Sequence, residues 1–529
     1  MLTTLMSRRG MVVAPHHLAA QSGLAVLREG GNAIEAMVAA AATIAVVYPH
    51  MNSIGGDGFW LIQEPGKPPV GIDASGAAAT LATPDFYAQR GYAAIPPRGA
   101  FAALTVAGTV SGWAKALENA AAWGRALPLT RLLADAIEYA EKGVPLTEGH
   151  IAMTVEKHAE LAELATLQSV FAGPMKTQPG ALLVQPRLAG TLRHLAAVGL
   201  ADFYDGDVAR SMALDLEAAG SPVRLGDLKA HCALTTKPLR KHLSVGTVYN
   251  VPPPSQGLAS LLILAIYDRI RAEKADTFEH VHRLVEATKR AFLIRDAVVT
   301  CPSRLPKQPA SFLTDKALEA EAARIHLTKA ARWPAETPAN GDTVWMGAID
   351  GEGRAVSFIQ SIYWEFGSGL VLPDTGVLWQ NRGLSFSLDP GQLNCLEPGR
   401  KPFHTLNPAL ANLNDGRVMV YGNMGGDGQP QSQAAVFTRH AFYGEPLQAA
   451  ITAPRWLLGR TWGTASTSLK LEGRFPSRLV KALWRAGHEV ELVDDFTDMM
   501  GHAGAIVRHP SGLFEGASDP RSDGVVAAY

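Results

Sequence analysis

The sequence predicts an α+β fold in which helices cover a largely antiparallel sheet. Helical patterns dominate from Gly108 to about Ala219. The composition then changes near residue 331, where Ala331 to Asp342 holds two prolines, a glycine and no helical or strand period. Beyond that break the chain reads as strand: Thr343–Ile349, Arg354–Ile362, Arg417–Tyr421, Ala503–Arg508 and Leu513–Ala517.

Each element has a local reason. Ala19 to Arg28 is a helix pattern stopped by Gly30-Gly31, which suit the left-handed position after a helix. Asn32 can cap a second helix, Ala33 to Val46, ended by Tyr48-Pro49. This segment is short, Ala-rich and carries Glu35. It reads as a buried helix, since a membrane span needs about 18 or more apolar residues. Asn52 to Gly58 is a tight glycine loop, followed by a strand from Phe59 to Gln63. Helices are expected at Gly112–Ala122 and Leu129–Lys142. A strand at Leu243–Val251 is broken by Pro252-Pro253-Pro254, and helices follow at about Leu258–Arg271 and Phe278–Val298. Ala331 to Asp342 reads as an exposed linker.

At 529 residues the chain is long enough for two to four compact units or one large interwoven one. Hydrophobic residues make up 47% and charged ones 18%, as in globular proteins. With 48 basic and 49 acidic residues, net charge −1, there is no electrostatic reason to expect nucleic acid or an anionic membrane as partner. Cys232, Cys301 and Cys395 form no CxxC pair, which argues against a disulfide framework or zinc-thiolate site and fits a reducing compartment. The start, MLTTLMSRRGMVVAPHH, shows no secretory signal, so the expected location is the cytoplasm.

Strong catalytic signatures are few: no GxSxG, P-loop or HExxH occurs. His16-His17 and His280/His282 lack a metal-ligand context and read as core or surface histidines, so neither metal nor cofactor is expected. Two GGDG loops stand out, Gly55–Gly58 and Gly425–Gly428. The strands Thr343–Ile349 and Arg354–Ile362 are joined by Asp350-Gly351-Glu352-Gly353, a strong hairpin signal. If Gly351–Gly353 is the loop, Asp350 faces Arg354 and Thr343 faces Ser361. A hydroxyl nucleophile would then have a second hydroxyl beside it.

The chain resembles the γ-glutamyltranspeptidase family of N-terminal-nucleophile hydrolases over nearly its whole length. The markers are Pro15-His16-His17-Leu18-Ala19 with Gly30-Gly31-Asn32-Ala33, Ile54-Gly55-Gly56-Asp57-Gly58-Phe59, Pro252-Pro253-Pro254-Ser255-Gln256-Gly257, Gly425-Gly426, and Gly516-Ala517-Ser518-Asp519-Pro520-Arg521. The resemblance implies a four-layer αββα sandwich of antiparallel sheets covered by helices. It also implies a precursor that cuts itself before Thr343, giving a large fragment, 1–342, and a small one, 343–529, within one interwoven unit. The freed α-amino group of Thr343 would serve as base for its own hydroxyl. By resemblance, Ser361 is the helper hydroxyl and the backbone N–H groups around Gly425 and Gly426 stabilise the oxyanion.

Glutamyl recognition in the family uses an Arg, an acidic pair and a Ser-Ser pair. Here the matching positions are Ser75, Leu384-Ser385 and His404-Thr405. Together with Gln380-Asn381-Arg382-Gly383, Pro402–Pro408 and Gly425–Gln431, they resemble a side branch of cephalosporin-acylase-like proteins and oxamate amidohydrolases of purine breakdown. The expected substrate is therefore a small amide, best matched by oxamate. Arg382 and Arg98 are candidate partners for its carboxylate, and His404 is a candidate hydrogen-bond donor. The alternatives are a γ-glutamyl transferase or glutathione hydrolase, a cephalosporin-type acylase, and an unprocessed pseudoenzyme serving as a binding protein. The two fragments are expected to stay associated, and a homodimer is left open.

Overall fold

A computed structural model describes residues 3–124, 126–175, 178–333, 342–459 and 466–529, with the backbone alone at 172–175 and 342. The linker expected between Ala331 and Asp342 therefore lies outside the described residues from 334 to 341.

Two seven-stranded antiparallel sheets form the centre. The first runs in the order Leu5–Ser7, Phe514–Ser518, Ala503–Arg508, Val418–Asn423, Ala409–Leu413, Gly246–Asn250, Leu239–Leu243. The second runs Val525–Ala528, Met11–Ala14, Asp342–Ile349, Ala355–Tyr363, Asp57–Gln63, Val70–Ala74, Leu234–Thr236. Both sheets combine strands from before and after residue 343.

The layering follows from the two-residue period of a strand. Met11, Val13, Phe59, Leu61, Trp345, Ile349 and Ile359 point between the sheets, where they meet Leu410, Val420 and Ile506 of the other sheet. Their neighbours Val12, Trp60, Ile62, Val344, Met346, Val356 and Phe358 point outward, onto helices that include Ala33–Val47. On the far side, Gly257–Arg269 and Phe278–Val298 cover Val248, Ala411 and Met419. The result is the αββα sandwich.

The Ala33–Val47 helix is buried throughout and needs its one charge. Glu35 accepts from the Asn32 N–H at 2.8 Å, completing a capping box, and from the Leu127 N–H at 2.6 Å. Phe278–Val298 is a single helix as expected. Other expectations change in detail. Leu129–Lys142 divides into Leu129–Leu132 and Ala134–Lys142. The strand expected at Leu243–Val251 is the second arm of a hairpin, Leu239–Leu243 with Gly246–Asn250. The part after residue 343 also carries helices that strand patterning hides, among them Gly428–Phe437 and Ser477–Arg485. No described helix is long and apolar enough to cross a membrane.

Candidate active site

The site lies where the strand Asp342–Ile349 begins. Thr343 has the same parity as Trp345, and it is buried at 1% exposure. The hairpin register matches the sequence count from Ile349↔Ala355 through Val344↔Gln360. At Thr343 it slips: the register shifts between Val344 and Asp342, and Asp342 pairs with Tyr363. Thr343 is thus at a bulge and not in a regular pair with Ser361. A bulge beside a site re-aims the side chain it carries. Ser361 Oγ accepts from the Tyr363 N–H at 2.8 Å, so it braces the residue that closes the bulge.

Tyr363 takes φ +83, which a non-glycine residue adopts only when its surroundings enforce it. Its ring carries the Arg382 guanidinium at 3.8 Å. Arg382 is fully buried. Its NH1 donates to Thr405 Oγ1 at 3.3 Å, while Nε and NH2 have no hydrogen-bond partner among the described residues. Burial lowers its pKa to about 10, so it remains a cation at neutral pH. A buried guanidinium with an edge unmet calls for an anion, and Nε with NH2 is the edge that grips a carboxylate with two bonds.

A chain of amides fixes Thr343. Gln429 Nε2 donates to Thr343 Oγ1 at 3.1 Å, and Gln429 Oε1 accepts from Asn407 Nδ2 at 3.0 Å. Asn407 also donates to Thr405 O at 2.9 Å. Gln256 Nε2 donates to both Thr405 O and Gly426 O at 2.8 Å, tying the segment at Thr405 to the glycine loop. Arg295 holds Gln256 Oε1 at 2.9 Å and Asp427 at 2.7 Å. Gly425 and Gly426 adopt φ +108 and +48, so this loop needs the left-handed freedom of glycine.

His404 Nε2 meets Asp57 Oδ2 at 3.0 Å, and both are completely buried. Burial, with Arg382 and Lys401 adding, holds the His404 pKa well below its usual value, so the ring is neutral. Its Nδ1 has no partner among the described residues. Asp57 Oδ1 accepts from the Gly76 and Gly108 N–H groups and from Gln380 Nε2, at 3.0–3.1 Å. Burial still pushes Asp57 up to about 7.

The structure therefore brings together Thr343, Arg382, Thr405, His404 and the Gly425-Gly426 turn, with Ser361 behind the bulge. Two other candidates are committed elsewhere. Ser75 Oγ donates to Asp73 at 2.5 Å, and Asp73 also takes the charge of Lys401 at 2.8 Å. Arg98 donates to the carbonyls of Glu365 and Gly367 and to Glu160, clamping one loop to another. Sequence reading missed Gln429, Asn407, Gln256, Arg295, Tyr363 and Asp57 as site residues. Asp57, Gln256, Asn407 and Gln429 stood inside segments that the motifs singled out, whereas Arg295 and Tyr363 did not.

The family model described as Gamma-glutamyltranspeptidase matches residues 19–529. The chain belongs to the gamma-glutamyltranspeptidase family. It is an amidohydrolase, acting on C–N bonds other than peptide bonds. Among curated relatives of this family, it is 58% identical over 526 residues to the oxamate amidohydrolase proenzyme of Klebsiella pneumoniae subsp. pneumoniae, covering 99% of each chain. It is 41% identical to the Glutathione hydrolase-like YwrD proenzyme of Bacillus subtilis, covering 98% of each. Among solved structures of the same fold, the cephalosporin acylase of Bacillus halodurans superposes with a TM-score of 0.92 at 33% identity, over 100% of this chain and 97% of that one.

Proposed function

We propose that the protein cuts itself before Thr343 and then hydrolyses oxamate to oxalate and ammonia. The observation that carries the substrate is Arg382: a buried cation whose Nε and NH2 have no partner among the described residues, stacked on Tyr363, which pairs with Asp342 at the start of the Thr343 strand. Oxamate has one carboxylate and, next to it, one amide. Held by Arg382, the carboxylate fixes where the amide carbon lies.

The cut releases the α-amino group of Thr343, whose ordinary pKa of about 7.7–8.0 suits a base near neutral pH. The amine takes the proton of Thr343 Oγ1 as the oxygen bonds to the amide carbon. Gln429, already donating to Oγ1, orients that oxygen. Charge gathers on the former carbonyl oxygen and is met by backbone N–H groups of the Gly425-Gly426 turn. The intermediate collapses, the C–N bond breaks, and ammonia leaves with the proton. Water then attacks the ester by the same route, releasing oxalate and restoring Thr343. Neutral His404 presents its ring next to the carboxylate subsite and adds no second charge.

The 58% identity to a protein named as an oxamate amidohydrolase proenzyme supports the same reading. The test compares kcat/KM for oxamate with that for a γ-glutamyl anilide on one processed sample. A better rate on the anilide would overturn the substrate. Thr343→Ala should leave one intact chain on a denaturing gel and release no ammonia. Cleavage or wild-type turnover in that variant would remove Thr343 from its role.

A further inference from the structure

A second cluster, outside the proposed catalytic site, joins the two parts of the chain. His282 and Glu286 stand one turn apart on the helix Phe278–Val298, and His488 faces them from the far side of the residue-343 boundary. All three are buried, and one ligand atom from each lies within 4.8 Å of the others. We propose that His282, Glu286 and His488 bind a divalent transition-metal ion, zinc by preference, and that this ion ties the segment before residue 343 to the segment after it.

The orientation of the rings supports a ligand site. His282 Nε2 lies 2.9 Å from the carbonyl oxygen of His326. A carbonyl can only accept, so the ring proton sits on Nε2 and the lone pair of Nδ1 is turned toward His488 Nε2, 2.8 Å away. A metal-binding histidine is held in the same way, its other N–H given to a backbone carbonyl. Two nitrogens each about 2.0–2.1 Å from one ion lie ~2.9–3.4 Å apart for angles between a right angle and a tetrahedral one. The observed gap of 2.8 Å lies just below this range, so seating an ion needs a side-chain shift of about a few tenths of an ångström. It also needs His488 with its proton on Nδ1, which is a change of tautomer with no net proton release. Burial holds both rings neutral, with His488 lowered to about 3 by burial, Lys289 and His282. Two imidazoles and one carboxylate suit zinc, and leave a fourth position for water.

One neighbour opposes the ion. Lys289 Nζ sits 2.7 Å from Glu286 Oε1, while Glu286 Oε2 accepts from the Ala331 N–H at 3.1 Å. A cation must therefore displace the ammonium. The geometry gives the ammonium somewhere to go: Lys289 and His488 both line a cavity of about 360 Å³, shared with Arg332, Thr467 and Glu489.

Full-length protein stripped with a chelator should bind one zinc per chain in calorimetry, and its Tm should rise with zinc. His488→Gln, which can still donate to His282, should weaken zinc at least ~10–100-fold while leaving the metal-free Tm close to wild type. Lys289→Met should tighten zinc about tenfold, because it removes the competing charge and keeps the chain length. Absence of stoichiometric zinc binding overturns the proposal. So does zinc binding that His488→Gln and His282→Gln leave unchanged, since the ion would then be elsewhere. Oxamate turnover is read separately; its presence or absence does not bear on this outcome.

Discussion

In the loop Gly55–Gly58 the glycines make room, and in the loop Gly425–Gly428 they supply conformation. A Cβ on Gly55 would lie 2.2 Å from Leu378 O, and one on Gly56 2.2 Å from Ser361 O. Both obstacles are backbone atoms, which cannot swing away. Gly425 and Gly426 instead sit at φ +108 and +48, where the missing side chain permits the angle. The aspartates differ as much. Asp57 is paired with neutral donors and sits at a raised pKa of about 7, whereas Asp427 answers the Arg295 cation at 2.7 Å. The same four letters thus encode a packing joint in one place and a charged turn in the other.

The largest effect that would sharpen this contrast is on rate. Gly425→Ala forces a side chain onto a left-handed turn and misaligns the N–H groups proposed to meet the oxyanion. Turnover should fall about 10²–10³-fold, with a stability loss of only about 1 kcal/mol. An unchanged kcat would separate this loop from catalysis. Asp427→Asn is next. Breaking a buried ion pair costs ~3–5 kcal/mol. Arg295 keeps a second partner, Asp296 at 2.7 Å, so the lower end is expected in denaturant unfolding. Gly56→Ala follows at about 2–3 kcal/mol of overpacking. It should lower stability far more than kcat/KM in the fraction that folds; the reverse pattern would erase the difference between the loops.

Asp57→Asn should be the mildest, about 1 kcal/mol or less at pH 5, because a neutral amide can replace a carboxyl that already keeps its proton. The sign can be checked against pH. Folded Asp57 releases its proton at about 7, and the ordinary value is 3.8. Between those values the folded chain binds more protons than the unfolded one. Stability from this group therefore falls as pH rises through that window and levels off above it. Urea unfolding of Asp57→Asn from pH 4 to 8 should lack that fall.

The sequence carried the sandwich well in strands that are buried on both faces. Phe59–Gln63, Thr343–Ile349 and Arg354–Ile362 read clearly because one side of each strand meets the other sheet and one side meets helices. Two kinds of feature were hidden. The register at Thr343 could be counted only as far as Val344, because the bulge is set by Tyr363 and its contact with Arg382, which are tertiary facts. The helix Gly428–Phe437 was hidden by its own chemistry. It reads GQPQSQAAVF, a polar run with no amphipathic period, yet every residue is buried. Its glutamines are spent inside: Gln429 on Thr343 and Asn407, Gln431 on Leu458, Gln433 on Asn407. A buried helix whose polar groups are all answered by neighbours resembles a surface loop on paper. Arg382 was legible as a candidate, but Arg98 looked equal to it. The carbonyls and the Glu160 carboxylate around Arg98 distinguish the two.

The mixing of strands from the two sides of residue 343 would set an order of events for a chain cut there. Met11–Ala14 lies between Val525–Ala528 and Asp342–Ile349, and Phe514–Ser518 lies between Leu5–Ser7 and Ala503–Arg508. A chain cut before Thr343 would have each piece threaded through the other's hydrogen-bond ladders. Neither piece could complete a sheet by itself, so assembly has to come first and scission second. Dilution would then not part the pieces, because parting them means melting both sheets together.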